Sequence, residues 1–270
     1  MRESFGAVLI AGGEGMRLGY KDGPKALVPI RGIPLVSFGM YALIEAGFAP
    51  DTVTTVRNAQ TDALERYLRG KSQFLPQKSP LGNADALHIA TCEINGNAEN
   101  VIAIHGDDGF FLAEDPQRIQ EIMDEHTRNR ADITVVLTPT ADKNIHGKRY
   151  SVDQDGRVVA VTALNEPRLP FTTSGYFSGV TVFRTQLFND IFPLIQPFDG
   201  KKGPEYGISS VFQLALDPTF KESIGFYGHI WPGFWQGINT QEDLQRVETH
   251  MRSTHVAEKI VGINGFRRSS

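Results

Sequence analysis

The chain has 270 residues, 40% of them hydrophobic and 21% charged, and its net charge of −4 argues against a nucleic-acid or anionic-membrane surface. Cys92 is the only cysteine, which excludes an intrachain disulfide and points to a reducing compartment. No window approaches the roughly 18 apolar residues of a membrane span, and the start, Met-Arg-Glu-Ser, lacks a signal-peptide core, so the protein is expected in the cytoplasm.

An apolar run, Ala7 to Ala11, reads as a buried strand opening into Gly12-Gly13-Glu14-Gly15, with Arg17 and Lys25 following. Residues 33–47 have the apolar spacing of an amphipathic helix, and Gly47 suits its C-cap. Residues 51–56 read as a strand, 61–68 as a short helix, 73–76 as a strand and 84–92 as a helix. A buried strand over 101–105 ends in Gly106-Asp107-Asp108; a helix over 116–128, with Pro116 in its first turn, and a strand over 132–137 follow. Such alternation implies an α/β fold, a doubly wound and mostly parallel sheet with helices on both faces. Ligands in these sheets bind beyond the carboxyl ends of the strands, where the glycine loop and the Asp pair both lie.

The second half is richer in strands, with β-rich stretches at 157–163 and 177–183 and a loop at 168–174. Residues 185–193, 207–216 and 241–251 read as helices. Residues 252–270 lack an apolar period and read as a loosely ordered tail, with a docking element for a homo-oligomer partner as the alternative.

Three glycines let the loop turn sharply and present bare N–H groups to an anion. Arg17 grips phosphate oxygens with its planar fork, and Lys25 adds a mobile point charge. This is a polyphosphate site. It has neither G-x-G-x-x-G nor Gly-Lys-Ser/Thr, but G-G-x-G-x-R-x-x-x-x-x-x-P-K. Asp107 and Asp108 suit Mg²⁺, which takes one or two carboxylates plus phosphate oxygens, although Gly-Asp-Asp-Gly is also good turn chemistry. No histidines pair at i, i+4 on a predicted helix, so zinc is not expected; His105, just inside the strand before Asp107, is either near the site or, the favoured reading, a satisfied core histidine. No Ser or Cys has a legible His/Asp arrangement for covalent catalysis.

The glycine–arginine–lysine string resembles the signature of the nucleotidyltransferases that make nucleotide sugars from a nucleoside triphosphate and a sugar 1-phosphate. Residues 77–87, 106–111, 176–183 and 235–244 resemble further stretches of that family, in its order. Phe177-Ser178-Gly179-Val180, with Leu187-Phe188, is loosely similar to uridylyltransferases acting on N-acetylmuramate 1-phosphate. The resemblance implies a Rossmann-like nucleotide-diphospho-sugar transferase fold over residues 1–251. It assigns a nucleotide-binding half to 1–140 and a β-rich acceptor-binding half to 141–251, leaving 252–270 outside. It also implies Mg²⁺ as cofactor, and a nucleoside triphosphate and a sugar 1-phosphate as partners.

Carried over residue by residue, the resemblance assigns nucleotide binding to Ala11, Gly12, Gly13, Gly15, Gln77 and Gly82, and catalysis to Arg17 and Lys25. Asp107 takes the family's metal-binding Asp position, and both Lys25 and Asp107 are expected to be exposed when no ligand is bound. Trp235-Gln236-Gly237-Ile238-Asn239-Thr240 departs from the family's Trp-x-Asp-Ile/Val-Gly-Thr: Gly237 cannot ligate, and Asn239 becomes the second metal ligand, or else a helix N-cap. Gln77 offers a donor and an acceptor to the O4/N3 edge of uracil or thymine, and Gly82 lets the backbone approach the nucleoside, an ordinary Pro-Leu-Gly turn being the alternative. Asn165-Glu166 replaces the family's Glu-Lys at the acceptor. Either Glu166 binds the sugar in a shifted register, or Lys148, Arg149 or Arg168 supplies the missing cation. Ser178 and Gly179 complete the acceptor set. The expected activity is UTP-favoured nucleotidyl transfer to a sugar 1-phosphate. The alternatives are a cytidylyltransferase for a phosphorylated alcohol and a non-catalytic regulatory subunit binding a nucleotide sugar.

Overall fold

The computed structural model describes residues 4–15, 18–20, 23–59, 62–94, 97–139, 148–163, 169–170, 172–200 and 203–264. In chain order the first elements are β1 (Phe5–Ile10), β2 (Pro29–Ile30), β3 (Ile33–Pro34), α1 (Leu35–Glu45), β4 (Val53–Asn58), α2 (Ala63–Tyr67), β5 (Gln73–Gln77), α3 (Asn83–Ile94) and β6 (Asn100–His105). There follow α4 (Gln117–Arg128), β7 (Ile133–Thr138), β8 (Arg149–Val152), β9 (Val158–Thr162), β10 (Thr173–Arg184) and α5 (Thr185–Ile191). The last are β11 (Phe198–Gly200), β12 (Gly203–Glu205), α6 (Ile208–Ala215), β13 (Phe226–Ile230), α7 (Gln241–Met251) and α8 (Val256–Asn264). Nine strands form the main, mixed sheet of an α/β fold, as the strand–helix alternation implied. The chain divides into two compact units.

One unit comprises Ala7–Pro80, Ile104–Gln120 and Gln236–Ser270. Its strands run β1-β4-β5, all parallel, with Ile10 beside Val56 and Asn58 beside Gln77. Ala7, Val8 and Leu9 are fully buried, as a strand covered on both faces requires. Nine consecutive residues of α1, Leu35 to Leu43, are buried too, so this helix is a core element rather than the half-exposed amphipathic one its spacing suggested. It stops at Gly47, whose φ of 100° only glycine adopts freely; Phe48 N–H donates to Leu43 O at 3.1 Å and Gly47 N–H to Ile44 O at 2.9 Å, closing a Schellman motif.

Residues 256–264, expected as part of a loose tail, form α8 and bury Val256, Ala257 and Ile260. Arg31 holds this end of the chain, donating to Met251 O at 3.1 Å and pairing with Glu258 at 3.6 Å. The buried stripe spans only five residues, too short a window for a helical period to stand out.

The other unit comprises Met1–Gly6, Leu81–Ala103 and Glu121–Trp235. Its order is β13-β7-β10 and then residues 100–103 of β6, whose last two residues, Ile104 and His105, belong to the first unit; β8 and β9 extend from β10. β13 is parallel to β7, and β10 is antiparallel to β7 and β8. Phe183, Phe188, Phe212 and Phe226 are fully buried around this sheet. Two strands of this sheet escaped the sequence reading. β13 carries Gly228 in its middle, where a Cβ would come within 2.6 Å of Val152, so a packing need disguises the strand. β8 is only four residues long. Residues 173 and 174, expected in a loop, already pair with β8.

Candidate active site

β1 ends at Ile10, and the next backbone groups tie its exit down. Ala11 N–H donates to Val56 O at 2.8 Å, and Gly106 N–H donates to Ile10 O at 2.9 Å. A Cβ on Gly106 would stand 3.0 Å from that of Ala11, so a larger residue there would press the two segments apart. The loop Gly12–Gly15 therefore lies beside the end of β6, within one unit.

Each loop glycine has its own reason. Gly15 takes φ 65°, and a Cβ on it would come within 3.0 Å of the Lys25 Cβ. Gly12 lies against the Gln77 side chain, whose Oε1 would be 3.4 Å from an added Cβ. Gly13 has neither constraint: its φ is not positive, and among the described residues an added Cβ would meet nothing within 4 Å. Its bare backbone faces open space.

Lys25 follows Pro24 at the head of a short 3-10 turn, Lys25–Leu27. Its N–H donates to Gly13 O at 2.9 Å, fixing the lysine against the loop. Its ammonium is ion-paired with the Asp107 carboxylate just beyond β6. The two side chains are only 14% and 24% exposed, so they are not the solvated pair expected of a ligand-free site. Each shields the other.

Asp107 is not alone. His105 Nδ1 lies 3.6 Å from Asp108 Oδ2, and ligand atoms of His105, Asp107 and Asp108 fall within 4.8 Å of one another. Burial raises the Asp107 pKa, but the Lys25 charge, with that of His105, outweighs it and holds the carboxyl below its usual range. Burial and the Asp107 charge push Asp108 above its usual range. Two carboxylates and an imidazole at this spacing fit a divalent cation. His105, read from sequence as a core residue, is part of the cluster. The available signal was its i, i+2 relation to Asp107 at a strand end, where an extended chain turns alternate residues to one side.

Gln77 closes β5 with 7% of its surface exposed, and its carbonyl accepts from Ala59 N–H at 3.1 Å. Gly82, in the other unit, has φ 99°, and a Cβ there would collide with Tyr206 O and lie 2.9 Å from Tyr206 N. Local packing thus accounts for this glycine without a nucleoside. The N-cap of α7 is Thr240, whose hydroxyl accepts from Asp243 N–H at 3.2 Å in a capping box, not Asn239. Asn239 precedes the cap, its N–H donating to Asp243 Oδ2 at 2.9 Å. Ser178 is fully buried and donates to Val136 O at 3.0 Å, while Gly179 takes φ 82° where the β10–β7 register shifts. Those two residues build a bulge, and the hydroxyl expected to meet the acceptor is spent on backbone. Arg149 is buried and donates to Thr162 Oγ1 at 3.2 Å, and Lys148 is exposed. Arg17, Asn165, Glu166 and Arg168 lie outside the described residues.

A glycine loop after the first strand, a lysine anchored on it and a carboxylate cluster beyond a neighbouring strand are set in an α/β fold. A family model described as nucleotidyl transferase matches residues 6–217, and the chain belongs to that family. It is 24% identical over 263 residues to the bifunctional protein GlmU of Oleidesulfovibrio alaskensis, covering 94% of this chain and 54% of that protein. It is also 24% identical over 253 residues to the bifunctional protein GlmU of Streptococcus pyogenes, covering 91% and 57%. The chain thus spans about half the length of these curated relatives. Among solved structures, the inositol-1-phosphate CTP transferase from T. maritima shares the fold with a TM-score of 0.71, covering 97% of this chain and 98% of that one at 18% identity.

Proposed function

We propose that this chain joins a nucleoside triphosphate, UTP in preference, to a sugar 1-phosphate, releasing pyrophosphate. The observation that carries this reading is the Lys25–Asp107 pair, anchored beside the glycine loop by the bond from Lys25 N–H to Gly13 O. It holds one cation and one carboxylate where a polyphosphate and its counter-ion have to meet.

An acceptor phosphate monoester is ionised near neutral pH, so its oxygen attacks the α-phosphorus without a general base. The bond to the β-phosphate oxygen breaks on the opposite side. Catalysis is then positioning plus charge neutralisation. Lys25 exchanges Asp107 for the α-phosphate, and the Gly12–Gly15 amides with Arg17 hold the departing pyrophosphate. The open face of Gly13 supports this role for the loop. Asp107 and Asp108 would hold a divalent cation, Mg²⁺ in the sequence reading, with Asn239 as a further ligand, and such an ion supplies positive charge to phosphate oxygens. Gln77, packed against Gly12, supports a pyrimidine base at that end of the loop.

A second reading is a cytidylyltransferase acting on a phosphorylated alcohol. It is favoured by Gly237, which stands where many family members carry a metal-binding Asp, and the T. maritima neighbour is itself named a CTP transferase for inositol 1-phosphate. Pyrophosphate release measured with UTP, dTTP, CTP, GTP and ATP, each against sugar 1-phosphates and phosphorylated alcohols, decides between them. Turnover with UTP and a sugar 1-phosphate supports the first reading, and turnover with CTP and an alcohol phosphate selects the second. Absence of turnover with every pair overturns both and leaves a non-catalytic nucleotide-sugar binder.

A further inference from the structure

We infer that His105 is a nitrogen ligand of the divalent cation held by Asp107, and that it biases the site toward a first-row transition cation such as Mn²⁺ over Mg²⁺. The inference rests on the reading of Asp107 as a metal ligand and adds to it a residue and a selectivity.

The geometry is the starting point. Ligands on one octahedral ion at about 2.1 Å stand about 3 Å apart when adjacent and about 4.2 Å apart when opposite. The atoms offered by His105, Asp107 and Asp108 already lie within 4.8 Å of one another, so one ion brings them to bonding distance with sub-ångström adjustments. His105 closes β6 and Gly106 follows, anchored to Ile10 O, so the backbone carrying these ligands is fixed on the β1 side. The His105 and Asp108 side chains are 15% and 14% exposed, enough to be reached but not freely solvated.

The chemistry supplies the selectivity. Mg²⁺ demands oxygen ligands and keeps its waters, so an imidazole in its shell is a poor exchange. First-row transition cations take imidazole better than Mg²⁺ does, Mn²⁺ the most weakly of them, while still binding carboxylate and phosphate oxygens. Gly237 has no side chain to offer, so the oxygen donors are the Asp107 and Asp108 carboxylates and the proposed Asn239 amide. An imidazole beside Asp107 favours a transition cation over Mg²⁺.

The test is metal binding without turnover. Mn²⁺ is titrated into the protein and followed by loss of its free-ion electron paramagnetic resonance signal, with Mg²⁺ as competitor. The bound ion is then examined by electron spin-echo envelope modulation for coupling to an imidazole ¹⁴N. The expected result is Mn²⁺ binding at least about tenfold tighter than Mg²⁺, with ¹⁴N modulation that disappears in His105→Gln as the preference collapses. Mn²⁺ bound without nitrogen coupling, yet lost in Asp107→Asn, overturns the role of His105 and spares the metal site. Binding that is absent, or unchanged in Asp107→Asn, overturns the metal site and this inference with it. The nitrogen measurement on the unaltered protein stands even where a variant fails to fold.

Discussion

Lys25 and Asp107 are 82 residues apart in sequence, yet each is the other's counter-ion, the lysine fixed on the glycine loop and the aspartate just beyond β6. Both positions are part-buried, so removing one charge strands the other. Lys25→Met and Asp107→Asn should each lower turnover at least about a hundredfold, since one charge contact at a transferring phosphate is worth roughly 3 kcal/mol. Each should also cost about 1–2 kcal/mol of stability in urea, through the unpaired charge left behind. The double variant should cost less than the sum of the two. Strict additivity would mean the pair is not coupled in solution.

Gly13 and Gly82 make a matched contrast. Gly82→Ala forces a side chain into φ 99° and onto the Tyr206 backbone, and should destabilise by at least about 2 kcal/mol. Gly13→Ala meets no atom of the described residues within 4 Å, so stability should move by less than about 0.5 kcal/mol. The KM for the nucleotide should nevertheless rise, because the new methyl stands where phosphate has to approach. A Gly13→Ala enzyme with unchanged KM would remove the loop from the binding site.

What was legible in the sequence was whatever depends on local pattern. The run Ala7 to Ala11, the glycine loop and the Gly-Asp-Asp turn each announce a strand and its end within a few residues. What stayed hidden depends on contacts distant in sequence. His105 looks like a core residue until Asp107 and Asp108 are seen beside it. Ser178 looks available until its hydroxyl is found bonded to Val136 O, 42 residues away. Strand β13 is masked by a glycine that only Val152 explains, and α8 by a buried stripe too short to show a period.

The start of α7 separates a cap from a ligand. Thr240 is the cap, so Thr240→Ala should cost about 1 kcal/mol in stability and leave the metal requirement unchanged. Asn239 precedes the cap and donates its backbone N–H to Asp243. If its amide oxygen also binds metal, Asn239→Ala should raise the cation concentration that gives half-maximal activity, and Asn239→Asp should largely preserve function. Identical metal titrations for Asn239→Ala and the unaltered enzyme would exclude it as a ligand.

His126, buried in α4, gives the fold a pH dependence. Its Nε2 lies 3.1 Å from Asn100 Oδ1 and its Nδ1 2.8 Å from Thr134 Oγ1, a hydroxyl that can donate or accept. Burial, then the Arg184 charge, lower its pKa from 6.5 to about 4. Between those values the unfolded chain binds a proton that the folded one does not, so stability rises with pH across the window and is lost as pH falls through it. Taken alone, this amounts to about 3 kcal/mol by pH 4. His126→Gln should show a smaller loss than the unaltered protein between pH 7 and pH 4.5 in urea titrations. Parallel pH profiles would show that the histidine does not carry the effect.

The proposed base choice is tested at Gln77, nearly buried at the end of β5 with its side chain against Gly12. A pyrimidine there exchanges two hydrogen bonds with the amide, and a buried polar group left unpaired costs about 1–3 kcal/mol. UTP should therefore be used best and dTTP next, since its extra methyl tests only pocket width. CTP should lose roughly ten- to a hundredfold in kcat/KM, and GTP and ATP more, because a purine has to displace the Gln77 segment. Gln77→Glu keeps the acceptor and removes the donor, so it should penalise UTP and favour bases that present donors, CTP among them. An unaltered enzyme that prefers GTP or ATP would defeat the pyrimidine assignment and leave nucleotidyl transfer standing. A Gln77→Glu enzyme with the same order of nucleotides would place base recognition elsewhere.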